Sequence, residues 1–244
     1  MPDRLFLVVG GLFAIGALLM FLAEFRRGAD RGTKRTDWIK YGIFLLLIFG
    51  LLLAAAAGRG LVGMILLVLA VIGATELARL VRPSTRGIVF VVGLGVLAAG
   101  LGHLLLGGQG AWRACFSTVV VLVAVTDSFS QLWGRLLGTH PLCPRLSPRK
   151  TVEGLAGGVA TTLAVAVLLG FLEPGMPRLR LALIALATAA GAVAGDLAFS
   201  RIKRGAGVKD FSRLLPGHGG VLDRFDGLIV AAPVYYWAHR LLAG

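Results

Sequence analysis

Residues 61–80, LVGMILLVLAVIGATELARL, run for fifteen positions before the first charged side chain, Glu76. About 20 largely apolar residues in helical form cross the roughly 30 Å hydrocarbon core of a bilayer, so this stretch reads as a transmembrane helix. Seven further runs repeat the pattern: Leu5–Leu22, Ile39–Ala57, Gly87–Leu106, Ala111–Val125, Gly154–Leu172, Leu179–Phe199 and Gly227–Leu242. The expected fold class is therefore all-α, a polytopic integral membrane helix bundle of about eight spans, with a ninth only if one run hides a re-entrant pair. The first run is followed by Glu24-Phe25-Arg26-Arg27 rather than a small-residue cleavage site, and it reads as a retained span.

Composition agrees. Of 244 residues 57% are hydrophobic and only 15% charged, too little polar surface for a soluble domain. The net charge of +13 sits between the apolar runs, which points to anionic lipid and phosphorylated substrates rather than nucleic acid. Two cysteines, Cys115 in an apolar run and Cys143 in a basic loop, do not make a disulfide framework.

Cytoplasmic loops carry an excess of Lys and Arg. With the basic loop after the first span placed in the cytoplasm, 19 of the 25 Lys and Arg residues fall inside; Arg4, Arg59, Arg113, Arg178, Arg180 and Arg240 fall outside. That orientation puts both termini outside. Trp38 and Tyr41, and Tyr235, Tyr236 and Trp237, are expected in interfacial aromatic belts. Gly191 and Gly195 form a small-xxx-small pair suited to close helix packing. The chain divides into N-terminal membrane helices over residues 1–60, middle helices over 61–125 and a C-terminal catalytic region over 126–244, which holds two long loops, Asp127–Glu153 and Ser200–Asp226.

Those loops carry the chemistry. Asp196, Ser200 and Lys203 are spaced i, i+4, i+7 and share one helix face. Asp223 and Asp226 follow at the start of the last span, where carboxylates are favoured by the helix dipole. Two carboxylate clusters among many cations are able to hold a divalent metal together with a polyphosphate, since Mg²⁺ takes one or two carboxylates plus phosphate oxygens and waters. The turn Gly217-His218-Gly219-Gly220 lets backbone N–H groups approach an anion. In the first loop Phe129, Leu132, Trp133, Leu136 and Leu137 fall at the spacing of an interfacial amphipathic helix. Ser147-Pro148-Arg149-Lys150-Thr151 reads equally as a phosphate-gripping turn and as a helix start. No Walker A glycine loop is present. Glu76 is expected to snorkel or pair with Arg79, and His103 to be structural.

The stretch Ser200-x-Ile202-Lys203-Arg204-x4-Lys209-Asp210-x-Ser212-x2-Leu215-Pro216-x-His218-Gly219-Gly220-Val221-x-Asp223-Arg224-Phe225-Asp226 resembles the signature of the phosphatidate cytidylyltransferase (CDP-diacylglycerol synthase) family. Ser147 to Gly154 resembles its Ser-Pro-x-Lys-Thr-x-Glu-Gly element, and Asp127 with Gly134-Arg135 resembles its Asp-x3-Tyr-x2-Gly-Arg/Lys element. Three positions depart from these elements: Ser130-Gln131 stand where the family usually has Ala-Tyr, and Val152 replaces a Trp.

The resemblance implies a nucleotidyl transfer in phospholipid biosynthesis, converting phosphatidate and CTP to CDP-diacylglycerol and pyrophosphate. It implies Mg²⁺ as cofactor, with a second cation left open. Asp196 and Asp223 are the leading metal ligands, with Asp226 and Asp127 as second choices. Asp196, Asp223, Lys203 and Lys209 are the expected catalytic groups. Ser200, Arg204, His218, Gly219, Gly220, Arg224, Ser147, Arg149, Lys150 and Thr151 are the expected substrate-binding residues. Expected partners are CTP, phosphatidate and the lipid bilayer, with no nucleic acid; a homodimer stays open. The expected location is a bacterial cytoplasmic membrane, with the site facing the cytoplasm. The rival readings are a CTP-dependent lipid kinase of the dolichol or phytol kinase type, and a non-enzymatic transporter or scaffold. A transporter places its ionisable residues near the bilayer midplane, whereas these acids fall at span ends.

Overall fold

The computed structural model describes residues 2–27, 31–105, 112–212, 214 and 219–243. Eight long helices correspond one to one with the eight apolar runs: α1 (Pro2–Arg27), α2 (Arg31–Ala57), α3 (Arg59–Arg79), α4 (Arg86–Gly102), α5 (Trp112–Leu137), α6 (Val152–Leu168), α7 (Arg178–Gly205) and α8 (Leu222–Ala243). Among the described residues there is no ninth. Seven are long and apolar enough to cross a membrane. The eighth, α8, has the length, about 33 Å at 1.5 Å per residue, but carries Asp223, Arg224, Asp226, His239 and Arg240. It packs along α7, with both its aspartates buried. The protein is a polytopic all-α membrane bundle.

One helix organises the rest. Inside the bundle 72% of the α5 span is buried, against 17–39% for the other six. Its Val119–Val125 run and Phe116 form the middle of the core. The outer helices turn Leu7, Leu46, Ile88, Val91 and Leu179 outward. In a soluble protein that much exposed apolar surface would drive aggregation; on a membrane bundle it is the lipid-facing side.

The expected interfacial amphipathic helix is not a separate element. Phe129 and Leu132 are buried and α5 continues unbroken to Leu137: Phe129 and Trp133 pack onto the same core as the rest of the helix, while Leu137 at its end is exposed. Beyond it, β1 (Pro141–Cys143) pairs antiparallel with β2 (Ser147–Thr151) in a short hairpin. Glu153 ties the hairpin to the end of α5, accepting hydrogen bonds from Thr139 Oγ1 (2.6 Å) and the Thr139 and His140 backbone N–H groups. Both cysteines are free.

Of the aromatic residues expected at interfaces, Trp38 donates from Nε1 to Glu24 Oε2 (3.3 Å) and the Tyr41 hydroxyl donates to the Phe13 carbonyl, so both join α2 to α1. Trp237 is half exposed, but Tyr235 is only 3% exposed. Tyr235 faces inward and packs against His239, one turn further along α8, with ring centroids 5.7 Å apart.

Glycines set the closest helix contacts. A Cβ on Gly191 would lie 3.0 Å from Ala231 Cα, and one on Gly195 would lie 2.5 Å from the Asp226 carbonyl oxygen. The small pair on α7 therefore lets α8 approach backbone to backbone, and that approach sets Asp196 beside Asp226. Forcing side chains into such contacts typically costs 1–3 kcal/mol. Gly195→Leu is expected to lower the unfolding free energy in detergent by at least about that much, and with it the unfolding midpoint. Gly42→Ala, whose added methyl meets nothing within 4 Å, should not lower it; an unchanged midpoint in the Gly195 variant would contradict the packing.

Candidate functional site

The two polar segments meet at one end of the bundle. Asp223, in the first turn of α8, accepts hydrogen bonds at Oδ2 from the backbone N–H groups of Phe211 and Gly220, both at 2.8 Å. Its Oδ1 faces Lys203 Nζ at 2.7 Å. Gly219 adopts φ +78°, in the left-handed region, and a Cβ there would strike Asp223 Oδ2 at 2.7 Å. Only glycine fits both demands. The carboxylate thus ties α7, α8 and the segment between them.

A second carboxylate does the same work from the other side. Glu76 of α3 is 2% exposed and accepts from Ser212 Oγ (2.6 Å) and from the N–H groups of Val221 (3.0 Å) and Leu222 (2.9 Å). Those N–H groups sit at the start of α8 and have no partner within the helix, and a negative charge suits that end of the dipole. A Cβ on Gly220 would come within 2.5 Å of Glu76 Oε1. The expected pairing of Glu76 with Arg79 is therefore corrected: Glu76 caps α8. The spacing around position 76 gives no sign of this, because the partners lie 136–146 residues downstream.

Between these anchors opens a cavity of about 340 Å³. Its walls include Asp127 and Gln131 of α5, Ser147, Arg149, Lys150 and Thr151 of β2, Asp196 and Lys203 of α7, Asp210, and Asp223, Arg224 and Asp226 of α8. Phe44, Leu47, Ile48 and Leu51 of α2 form an apolar side. The walls thus draw on the first sixty residues as well as on the region from 126 onward.

On α7 the predicted shared face is present: Ser200 is buried and donates to Asp196 Oδ1 (3.3 Å), whose Oδ2 is paired with Lys150 Nζ. Lys203 reaches Asp226 Oδ2 at 3.9 Å as well as Asp223. Asp226 Oδ1 accepts from the Gly227 N–H (2.8 Å). Among the described residues no hydrogen bond reaches the Asp127 carboxylate, which lies against Gly227 and near Asp196, Asp226, Lys150 and Arg224. Thr151 does both jobs open to it, lining the cavity and capping α6 by accepting from the Gly154 N–H (3.1 Å).

Not every residue singled out in the sequence is in the walls. Lys209 is exposed and outside them. Arg204 donates to the carbonyls of Leu146 (3.4 Å) and Val208 (3.1 Å), which fastens the hairpin to the end of α7 instead of facing the cavity. His218 lies outside the described residues, as do Arg213, Leu215, Pro216 and Gly217. Arg135 meets Asp37 of α2 (2.6 Å), an ion pair between α5 and α2 that neither local sequence announces.

The donor chemistry suits a hard divalent cation bound jointly with substrate. Five carboxylates line the cavity, and Asp127 has open acceptor positions. Among the described residues, however, no three of these carboxylates come within 4.8 Å of one another. That fits Mg²⁺, which uses one or two carboxylates and takes its other oxygens from phosphate and water, and does not fit an all-protein cage. Asp223, with three hydrogen-bonding partners already, is better occupied as an anchor than as a ligand; Asp127, Asp196 and Asp226 are the better placed.

Fold and site together define a polytopic helical membrane protein with a mixed-charge polar cavity at one end of its bundle. The Cytidylyltransferase family profile matches residues 88–242, well over half of the chain, and the protein belongs to that family. The chain is 45% identical over 124 residues to a phosphatidate cytidylyltransferase of Brucella abortus, covering 50% of this chain and 46% of that protein. It is 42% identical over 115 residues to one from Staphylococcus haemolyticus, covering 47% and 44%. It is also 43% identical over 125 residues to the uncharacterized protein YnbB of Escherichia coli, covering 50% and 42%. The chain thus spans less than half the length of these relatives.

Removing the cap tests the geometry directly. Glu76→Ala leaves two buried N–H groups without partners, at about 1–3 kcal/mol each. Thermal unfolding in detergent should shift down accordingly, and limited proteolysis should cut faster near residues 206–221. Glu76→Gln, which keeps an acceptor oxygen, should lose less. Wild-type stability in the alanine variant would contradict the capping role.

Proposed function

We propose that the protein transfers the cytidylyl group of CTP to phosphatidate, forming CDP-diacylglycerol and pyrophosphate. One observation carries the reading: the cavity holds five carboxylates and four cationic side chains at close quarters, next to an apolar wall. An anion alone would meet the acids and a metal alone would meet the lysines; a metal–polyphosphate pair satisfies both. The apolar wall of α2 suits a substrate with a lipid tail. Family membership and two relatives named phosphatidate cytidylyltransferase support the same reaction.

In this reaction a phosphatidate phosphate oxygen attacks the α-phosphorus of CTP, the bond from that phosphorus to the bridging β-oxygen breaks, and pyrophosphate leaves with the electron pair. The attacking oxygen is already anionic, so no protein base is required. The protein's work is to hold two polyanions together and to stabilise charge on the leaving group. Lys203, held by Asp223 and Asp226, is positioned for a phosphate oxygen. Lys150, Arg149 and Arg224 approach from other walls, and the Ser147 and Thr151 hydroxyls add neutral donors. Bound Mg²⁺, held by Asp127, Asp196 and Asp226, would supply charge neutralisation for the phosphates. Lys209 and Arg204 act in this scheme by steering anions and by fastening the hairpin.

Purified protein given phosphatidate, CTP and Mg²⁺ should release CDP-lipid and pyrophosphate in equal amounts, and excess chelator should stop it. Lipid phosphorylated at the expense of CTP, with CDP as the other product, would replace the proposal with the lipid-kinase reading. Undiminished activity in chelator would remove the metal.

The cavity is proposed to face the cytoplasm, on the positive-inside distribution. In a chain otherwise lacking cysteine, Lys209→Cys should resist membrane-impermeant thiol reagents in intact cells and react after permeabilisation. Ready labelling in intact cells would invert the topology.

A further inference from the structure

A second polar cluster lies at the far end of the bundle. Cys115 near the start of α5, Glu173 in the turn after α6 and His239 near the end of α8 bring three donor atoms within 4.8 Å of one another. His239 Nε2 is 3.3 Å from Glu173 Oε1; Cys115 Sγ is 3.8 Å from Glu173 Oε1 and 4.0 Å from His239 Nε2. Cys115 and Asp127 are twelve residues apart on α5, about 18 Å along the axis, so this cluster is separate from the cavity described above.

We propose that Cys115, Glu173 and His239 form a binding site for a borderline transition-metal cation, Zn²⁺ first among them. A thiolate, an imidazole and a carboxylate on a tetrahedral Zn²⁺ lie about 3.3–3.6 Å apart, given metal–ligand lengths of about 2.0–2.3 Å. The observed separations need only a sub-ångström contraction to match. Sulfur and imidazole nitrogen select zinc and its neighbours over Mg²⁺ and Ca²⁺, which take oxygen.

An independent observation points into the same place. Thr118, one turn along α5 from Cys115, is 6% exposed; its Oγ1 makes no well-aligned hydrogen bond, and the Tyr235 hydroxyl is its polar neighbour. Thr118 lines a small cavity of about 10 Å³ with Glu173, Tyr235 and His239. A space of that size is at the lower limit for one water and adequate for one ion. A buried hydroxyl without a well-aligned partner costs free energy; a water on the metal's fourth position would give it one. Tyr235, buried beside Cys115, closes the site on another side. The site would join three elements: the start of α5, the end of α6 and the end of α8.

The test uses full-length protein in detergent carrying Cys143→Ser, which leaves Cys115 as the single thiol. Stripped of metal and titrated with Co²⁺, it should develop a thiolate-to-cobalt charge-transfer band at one equivalent, insensitive to excess Mg²⁺ and displaced by Zn²⁺. Cys115→Ser should abolish the band. His239→Ala should weaken binding by more than roughly a hundredfold, beyond the 10–100-fold cost of losing a mere supporting partner. Zn²⁺ should also raise the melting temperature of the Cys143→Ser protein, a readout that needs no ligand variant to fold. Absence of both the band and the thermal shift would overturn the proposal and leave a His–Glu ion pair beside a thiol. A band that survives Cys115→Ser would overturn it equally.

Discussion

The Lys203 ammonium, buried between Asp223 and Asp226, is the interaction on which the polar end of the bundle depends. A cation in that setting is costly unless paired, and removing a partner from a buried pair costs on the order of 3–5 kcal/mol. The pair is stable here because each member has further partners: Asp223 takes two backbone N–H groups, and Asp226 takes one. The glycine contact at Gly195 brings α7 and α8 close enough for the pair to form. Glu76 then fixes where α8 begins. Without these constraints Asp196, Asp127 and Asp226 would not face one space.

The same arrangement separates anchoring from chemistry among residues that look alike in the sequence. Asp223 and Asp226 are three apart on one helix. The first is filled by hydrogen bonds to the loop, while the second keeps one oxygen at the longer distance from Lys203. Lysines show a similar division: Lys150 and Lys203 line the cavity, and Lys209 does not.

Hydropathy made the eight helices legible, because six of the apolar runs are long enough to span and the two short ones, Ala111–Val125 and Gly227–Leu242, are extended by flanking residues into full helices. The shared face of Asp196, Ser200 and Lys203 was legible too, since helical spacing is a local property. What the sequence hid is non-local or short. Glu76 caps a helix that begins 146 residues later. The hairpin at 141–151 is too short and polar for a strand pattern. Phe129–Leu137 has the same amphipathic spacing whether it lies on a membrane surface or extends a buried helix, and only the packing of its neighbours decides. Tyr235 has the composition of a belt residue, yet it is buried beside Cys115 and Glu173, both distant in sequence, and beside His239 of its own helix. The α2 wall of the cavity lies before residue 88, where the family match begins, so no motif marked it.

The division of labour between the two α8 aspartates is tested most directly by measuring turnover and unfolding of Asp223→Asn and Asp226→Asn side by side. The account predicts that Asp223→Asn loses stability and turnover together, since its amide places a donor against the Lys203 ammonium or the loop N–H groups. Asp226→Asn should lose less stability than Asp223→Asn, because Asp226 is 3.9 Å from Lys203, which keeps Asp223 at 2.7 Å, and it should lose roughly a hundredfold to a thousandfold in turnover, the range for one preorganised electrostatic contact. Near-wild-type turnover in Asp226→Asn at low Mg²⁺, or an Asp223→Asn protein that is inactive but fully stable, would contradict it.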